Sequence, residues 1–518
     1  MAAIITDQIR ILNAKNFISD INSNFNSYYT FVGLINPTSV QSDWNTNPPS
    51  PKDTFDDENS YWDSIVALKK INSSDVRFVV KKRFWSSGSV YDMYRHDYSS
   101  LNTSPVSGAT NLYSSNYYVV NRDYRVYICL YNGIDPENPN GKPSLDEPIF
   151  TDLEPRSAGS SGDNYIWKYL YTIKPNEVVK FESTDFILVP GDWDTGSDNL
   201  AVRNNAVNGS IKIVTIKNRG VGLGTSNVAY TKVAIKGDGT GAECAILIDN
   251  DQKVNSVVVT NQGSGYTYGS VDLVASGVPT GTTRPTFDVI IPPKGGHGYD
   301  IYRELGAINV LLYSRIENDI QNPDFIVGNE IARIGIVKNP IAFDSSQLLS
   351  SDRLSATYAL KLTGTGYNSA TFVSDSIITQ TIGTGEVAVG IVVNYDQTTG
   401  VLRYLQDRSL VGFTTVGIAV TNPLYGFNLN KFTSSPSIGG NLSIVPSNGT
   451  TTLTIDNVFT GISTVINNRT YYLPQSFING LSNPEVKKSS GDIIYVDNRP
   501  SITRSPNQKE DIKVILQF

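Results

Sequence analysis

Cysteine and histidine are almost missing, two of each in 518 residues. Cys129 and Cys244 sit in apolar, strand-like runs, YICLY and AECAILI, which excludes a disulfide framework and a cysteine-rich zinc site. His96 and His297 stand in no HExxH or comparable spacing, so a histidine-built metal centre is not expected, and the commonest general acid–base group is nearly absent. His297 lies in the glycine turn PPKGGHGYD, where a ring nitrogen is expected to bond nearby backbone. No GxSxG, no cysteine–histidine motif and no GxxxxGK[ST] occurs, so neither nucleophilic catalysis nor nucleotide binding is expected. A carboxylate pair of the glycosidase kind depends on spacing in the fold and leaves no mark on the sequence. The chain reads as a non-enzyme with no cofactor and no metal.

Charge is sparse as well. Lys+Arg number 42 and Asp+Glu 49, a net charge of −7, and charged residues make up 18% of the chain, below the ~25% usual in globular proteins. With no basic cluster beyond Lys81-Lys82-Arg83, a nucleic-acid surface is not expected. No window approaches the ~18–20 unbroken apolar residues of a membrane helix, and MAAIITDQIR lacks the basic-then-apolar order of a signal peptide. Membrane insertion is not expected, and synthesis in the cytoplasm is.

What is present is mostly β pattern. Ala14, Ile18, Ile21 and Phe25 follow a helical period and predict one amphipathic helix over 6–26. A Pro- and Asn-rich loop follows over 36–60, then a short helix expected at Ser60–Lys70. Past residue 75 the period becomes two: Tyr124, Val126, Ile128 and Leu130, then Tyr165, Trp167, Tyr169 and Tyr171, read as strands with one buried face. Turn residues recur every ~8–15 positions, as in antiparallel sandwiches and barrels. The expected fold is therefore mainly β, an antiparallel sandwich or barrel body with an N-terminal helix and two inserted small β domains.

The first insertion, 205–291, repeats itself: VTIKNRGVGLG (214–224) and VVVTNQGSGYT (257–267) align at an offset of 43. This reads as two small β units packed on each other, with Gly220, Gly222, Gly263 and Gly265 at positive φ. The second, 344–480, is rich in Thr, Ser, Gly and Val and carries a hairpin around Asp396-Gln397-Thr398-Thr399-Gly400. The remaining segments are 1–74 (helix and extended loop), 75–204 and 292–343 (β body), and 481–518 (C-terminal strands completing it).

Four stretches carry a resemblance. GDIIYVDNRPSITRSPNQKEDIKVILQF (491–518), KKRFW (81–85), GDNYIWKYLYTIKPNE (162–177) and Val189-Pro190 after FESTDFI resemble, in the same order, the baseplate wedge subunit of T4-like contractile-tailed bacteriophages, the gene product eight family. PPKGGHGYDIYRELGAINVLL is similar to a segment of marine T4-like versions. The residues carrying it are Trp85, Trp167, Tyr169, Pro190, His297, Tyr495, Asn498, Arg499 and Pro500. The T4-type protein is shorter, and the surplus here falls in the two insertions. The resemblance implies a non-catalytic virion protein of the tail baseplate, made and assembled in the host cytoplasm, which holds other wedge proteins and pairs as a homodimer. Loops 36–60 and 132–163 are expected to drape over and order on such partners, with Trp44, Pro48, Pro49, Phe55, Tyr61 and Trp62 as interface candidates. The alternative is a receptor- or carbohydrate-binding module, with Tyr266, Tyr268 or Tyr367 of the insertions stacking on sugar rings.

Overall fold

The computed structural model describes residues 4–23, 25–35, 43–317, 330–406, 410–411, 413–415, 418–420, 429–438, 441–447, 452–505 and 508–518. The fold is mainly β, with 41% strand against 11% helix, many antiparallel sheets and one closed six-stranded barrel. Two compact units divide the chain: Met1–Ile18 with Arg77–Leu311 and Val514–Phe518, and Ser19–Val76 with Leu312–Lys513.

In the first unit, strands Tyr118–Val120, Arg125–Asn132 and Tyr165–Thr172 form an antiparallel sheet. Val126 to Leu130 are all buried, so the expected one-sided alternation fails: both faces of this strand are covered, as in interior strands whose sequence reads as a continuous apolar run. Tyr124 precedes the strand with φ 57°. The repeat region has its own core, Ile211 to Ile291, which includes Cys244. Its two copies do not form separate units. Val254–Ser264 and Gly269–Val271 of the second copy flank the hairpin Val228–Gly237/Thr240–Ile248 in one sheet, because a two-stranded piece alone cannot bury a face. Gly220, Gly222, Gly263 and Gly265 do take positive φ, 72°, 65°, 60° and 80°. Both cysteines are free and buried.

The N-terminal helix runs Asp7–Ile21, shorter than expected. Ile11 and Ala14 are buried, but Phe25 lies beyond the helix and is 86% exposed. Local side-chain bonds end it: Ser23 Oγ accepts from Phe25 N, and the Asn26 amide donates to Asp20.

The second unit holds a sheet ordered Arg353–Ser355, Ile65–Lys70, Tyr28–Leu34, Glu330–Lys338, Asp492–Thr503. Here the helix expected at Ser60–Lys70 is corrected: the helix is Phe55–Ser64, and Ile65–Lys70 is a strand. Thr54 caps the helix by accepting from Asp57 N, three acids fill its first turn, and the apolar Ile65-Val66-Ala67-Leu68, opening on two β-branched residues, is claimed by pairing on both sides. Gly335 keeps the sheet closed, since a Cβ there would stand 2.1 Å from the Phe31 ring and 2.5 Å from the Tyr495 carbonyl.

The barrel of the same unit closes through Tyr358–Thr363, Val401–Leu405, Glu386–Asp396, Ile377–Gly383, Ser443–Pro446 and Leu453–Ile455, the last pairing back with the first. Its interior is mostly aliphatic: Leu360, Leu362, Ile378, Val392, Leu402, Ile444 and Leu453. The hairpin expected at 396–400 is present, with Gly400 at φ 70°.

Candidate interaction surface

Glu330–Lys338 reads IARIGIVK after its first glutamate, and its one inward cation is Arg333, 3% exposed. Burying a guanidinium requires cover and hydrogen bonds. Two segments from opposite ends of the chain supply them. Asn498, opposite Arg333 in the neighbouring strand, accepts from its Nε at 2.8 Å, and Ser64 Oγ accepts from Nη1. The guanidinium carbon lies 4.7 Å from the Tyr61 ring centroid and 5.8 Å from that of Trp44. Burial lowers the Arg333 pKa to about 10, so the group stays charged at neutral pH and the aromatic faces help to hold the cation.

The strand beside it bows. Ile331 pairs with Ile502 and Arg333 with Asn498, which leaves Arg499, Pro500 and Ser501 as a bulge. Pro500 has no N–H to offer, and the 43–50 loop fills the gap. Trp44 Nε1 donates to Arg499 O at 2.9 Å, Ser501 N donates to Asn45 Oδ1 at 3.0 Å, and Asn498 Nδ2 donates to Pro49 O at 2.9 Å. Farther along, the Tyr61 hydroxyl accepts from Lys52 N and donates to Lys52 O, fixing the loop before the helix.

Two groups of sequence candidates thus meet in one unit: Trp44, Pro48, Pro49, Tyr61 and Trp62 with Tyr495, Asn498, Arg499 and Pro500. Trp44, Tyr61 and Trp62 are buried, Pro48 and Pro49 half-buried, and Phe55 is 86% exposed. Residues 43–50 pack on their own unit, over the buried cation that they help to cover. Residues 36–42 of the 36–60 loop lie outside the described residues. A partner at this surface would meet Phe55, Arg499 and Pro500, not the tryptophans. Tyr495 is half-buried, with its phenol pKa raised by burial.

The other candidates belong to the first unit. Trp167 is fully buried, stacked on Tyr165 at 5.4 Å, and Tyr169 is half-exposed with its hydroxyl on Thr172. Trp85 donates to Ser144 Oγ at 3.0 Å, and Pro190 O accepts from Tyr302 at 2.7 Å. The 132–163 loop is tied to its own unit, Asn121 donating to Pro148 O and Tyr127 to Phe150 O. His297 bonds a carboxylate where backbone was expected: its Nδ1 lies 2.6 Å from Glu304 Oε1, while Glu304 Oε2 accepts from Gly298 N at 2.7 Å. The Tyr94 ring covers the imidazole edge-on at 4.7 Å, and Tyr117 donates to Glu304 O. Nearby Lys168, buried and donating to Leu153 O, has its pKa lowered to about 8 by burial, against the opposing pull of Glu304 and Glu154. These groups are enclosed by protein and pin the 293–305 segment, a structural use of titratable side chains. Among the described residues no three of His, Cys, Asp and Glu cluster as metal ligands.

Of the tyrosines expected to stack on sugars, Tyr266 is buried in the repeat core, accepting from Ala242 N and donating to Ile235 O. Tyr268 is exposed and Tyr367 half-buried. Arg333, Ser64, Asn45, Glu304 and Lys168 escaped the sequence reading. Only Arg333 left a signal, a lone cation interrupting an apolar strand face. No protein-family model matches this chain, and no curated protein does either.

Proposed function

We propose that this chain is a structural part of a contractile bacteriophage tail, a baseplate wedge component that holds neighbouring proteins through broad contacts and turns over no substrate. The supporting observation is that a candidate interface segment and the C-terminal stretch of the resemblance are packed together: the Trp44-to-Trp62 segment and Tyr495–Pro500, 455 positions apart at the Trp44–Arg499 bond, share one buried cation. A surface assembled from such distant segments suits a protein whose product is shape. Sparse charge favours contacts made of apolar area and hydrogen bonds over salt-sensitive ones. In a plate that changes form, such a part would act through the difference in interface stability between two states.

Peptide mass mapping and cryo-electron microscopy of purified tails test the reading. The chain is expected at the baseplate in wedge-symmetric copies, and sedimentation of the isolated protein is expected to give a dimer. Absence from mature tails, or turnover of an envelope polymer by the purified protein, overturns it.

A further inference from the structure

The Asp492–Thr503 strand stands at the end of its sheet, so one side of its backbone has no strand neighbour. Natural sheets blunt such edges with bulges, prolines or covering loops. Over Arg499–Ser501 all three devices are present: the bulge, Pro500, and the Trp44 and Asn45 contacts. Over Ile493–Val496 the proline and the covering contacts stop, and a one-residue bulge at Ile494 is the device that remains. Among the described residues no hydrogen bond reaches the outer backbone of this stretch. A groove of about 360 Å³ runs instead between it and the 51–54 loop with the first turn of the Phe55–Ser64 helix, within the range of ligand clefts (~300–1,000 Å³). The far wall is held by the two hydrogen bonds between Tyr61 and Lys52. Ile494 presents exposed apolar surface on the near side.

The charge around the groove is one-sided. Of the groove's lining residues, Asp53 and Glu58 are acidic and Lys52 alone is basic, and neither carboxylate has a cationic partner among the described residues. Acids in the first turn also favour the helix dipole, which accounts for their presence but leaves their charge uncompensated.

We infer that a neighbouring protein docks here as an added strand: an extended, Lys/Arg-bearing segment whose main chain pairs with the outer edge of Ile493–Val496 and whose cations reach Asp53 and Glu58. Strand addition supplies affinity through main-chain bonds, and side-chain charge supplies selectivity. The inference rests on the proposed role as a part held by its neighbours, while naming the chemistry of one neighbour.

Fluorescence anisotropy with the full-length protein tests it, using labelled peptides of five Val-Lys repeats at low salt. Saturable binding is expected, with about tenfold or greater weakening for Val-Glu repeats and for the protein carrying D53K and E58K. The decisive probes are two Val-Lys peptides N-methylated on alternate amides, in opposite phases. Because successive N–H groups of a strand point to opposite sides, one phase is expected to lose binding and the other to keep it. Equal binding of both phases, equal binding of Val-Glu repeats, or no saturation up to about 1 mM peptide overturns the inference. Thermal unfolding of the D53K/E58K protein verifies that it is folded; I494P, which places a second proline on the same edge, is expected to reduce binding if the charge variant proves unstable. Failure of the wedge reading shows separately, as absence from tails.

Discussion

The aromatic sheet of the first unit and the barrel of the second solve one problem, how to hold long loops over a β core, with different side chains. In the first unit phenols reach out of the core to loop carbonyls: Tyr117 to Glu304, Tyr127 to Phe150, Tyr165 to Lys142 and Tyr302 to Pro190. In the second unit buried amides share this work with phenols such as Tyr61 and Tyr395, which donate to Lys52 O and Tyr367 O. Gln380 donates to Thr433 O and Asn441 O and accepts from Thr433 N; Gln406 donates to Val389 O and Asn430 O; Gln475 donates to Thr357 O and Asn483 O. A phenol fills volume and donates one bond from its tip, so core packing and loop attachment become one event. An amide fills little but makes several bonds, so an aliphatic barrel can pack first and clip its loops separately.

The sharpest way to probe this contrast is Trp167→Ala. It empties the fully buried centre of the aromatic sheet, beside Tyr165 and Tyr91, and is expected to cost about 3–5 kcal/mol in urea unfolding. Next is Gln380→Leu in the barrel, which strands two carbonyls and one N–H and is expected to cost roughly 3 kcal/mol. Tyr127→Phe removes one loop bond while keeping the ring, so a loss of about 1 kcal/mol is expected, with faster amide exchange around Phe150. If Tyr127→Phe costs as much as Gln380→Leu, the division between the two kinds of clip is broken.

The last effect is a slope. Lys168 has a folded pKa of about 8 against 10.5 for the ordinary side chain. Between those values the unfolded chain holds a proton that the folded chain has released, so stability rises with pH across the window, and below about pH 8 the cost of the buried cation is fully present. Lys168→Met is therefore expected to gain on the parent protein most near pH 7 and least near pH 10.5, read from urea midpoints at both. Parallel behaviour would mean that the amine keeps its water.

Much of this was readable and some was not, for identifiable reasons. Gly400 and the four repeat glycines announced their turns because positive φ is a local property of a residue without Cβ. The helix expected over Ser60–Lys70 failed in its second half, where Ile65–Lys70 is committed by strands on either side, one of them at Arg353–Ser355. Phe25 completed a helical stripe on paper yet lies past a stop made by Ser23 and Asn26. Trp44 and Tyr61 looked like free anchors because nothing near them in the chain reveals Arg333.

The order of residues alone determined a β protein with few helices and several of its turn positions, since period and turn chemistry act over a few neighbours. Only the tertiary structure decided which rings are buried, how the repeat copies interleave, that the barrel closes, and that one strand edge stays open from Ile493 to Val496. Those outcomes depend on groups hundreds of positions apart competing for the same volume and the same hydrogen bonds, and that competition exists only once the chain has folded.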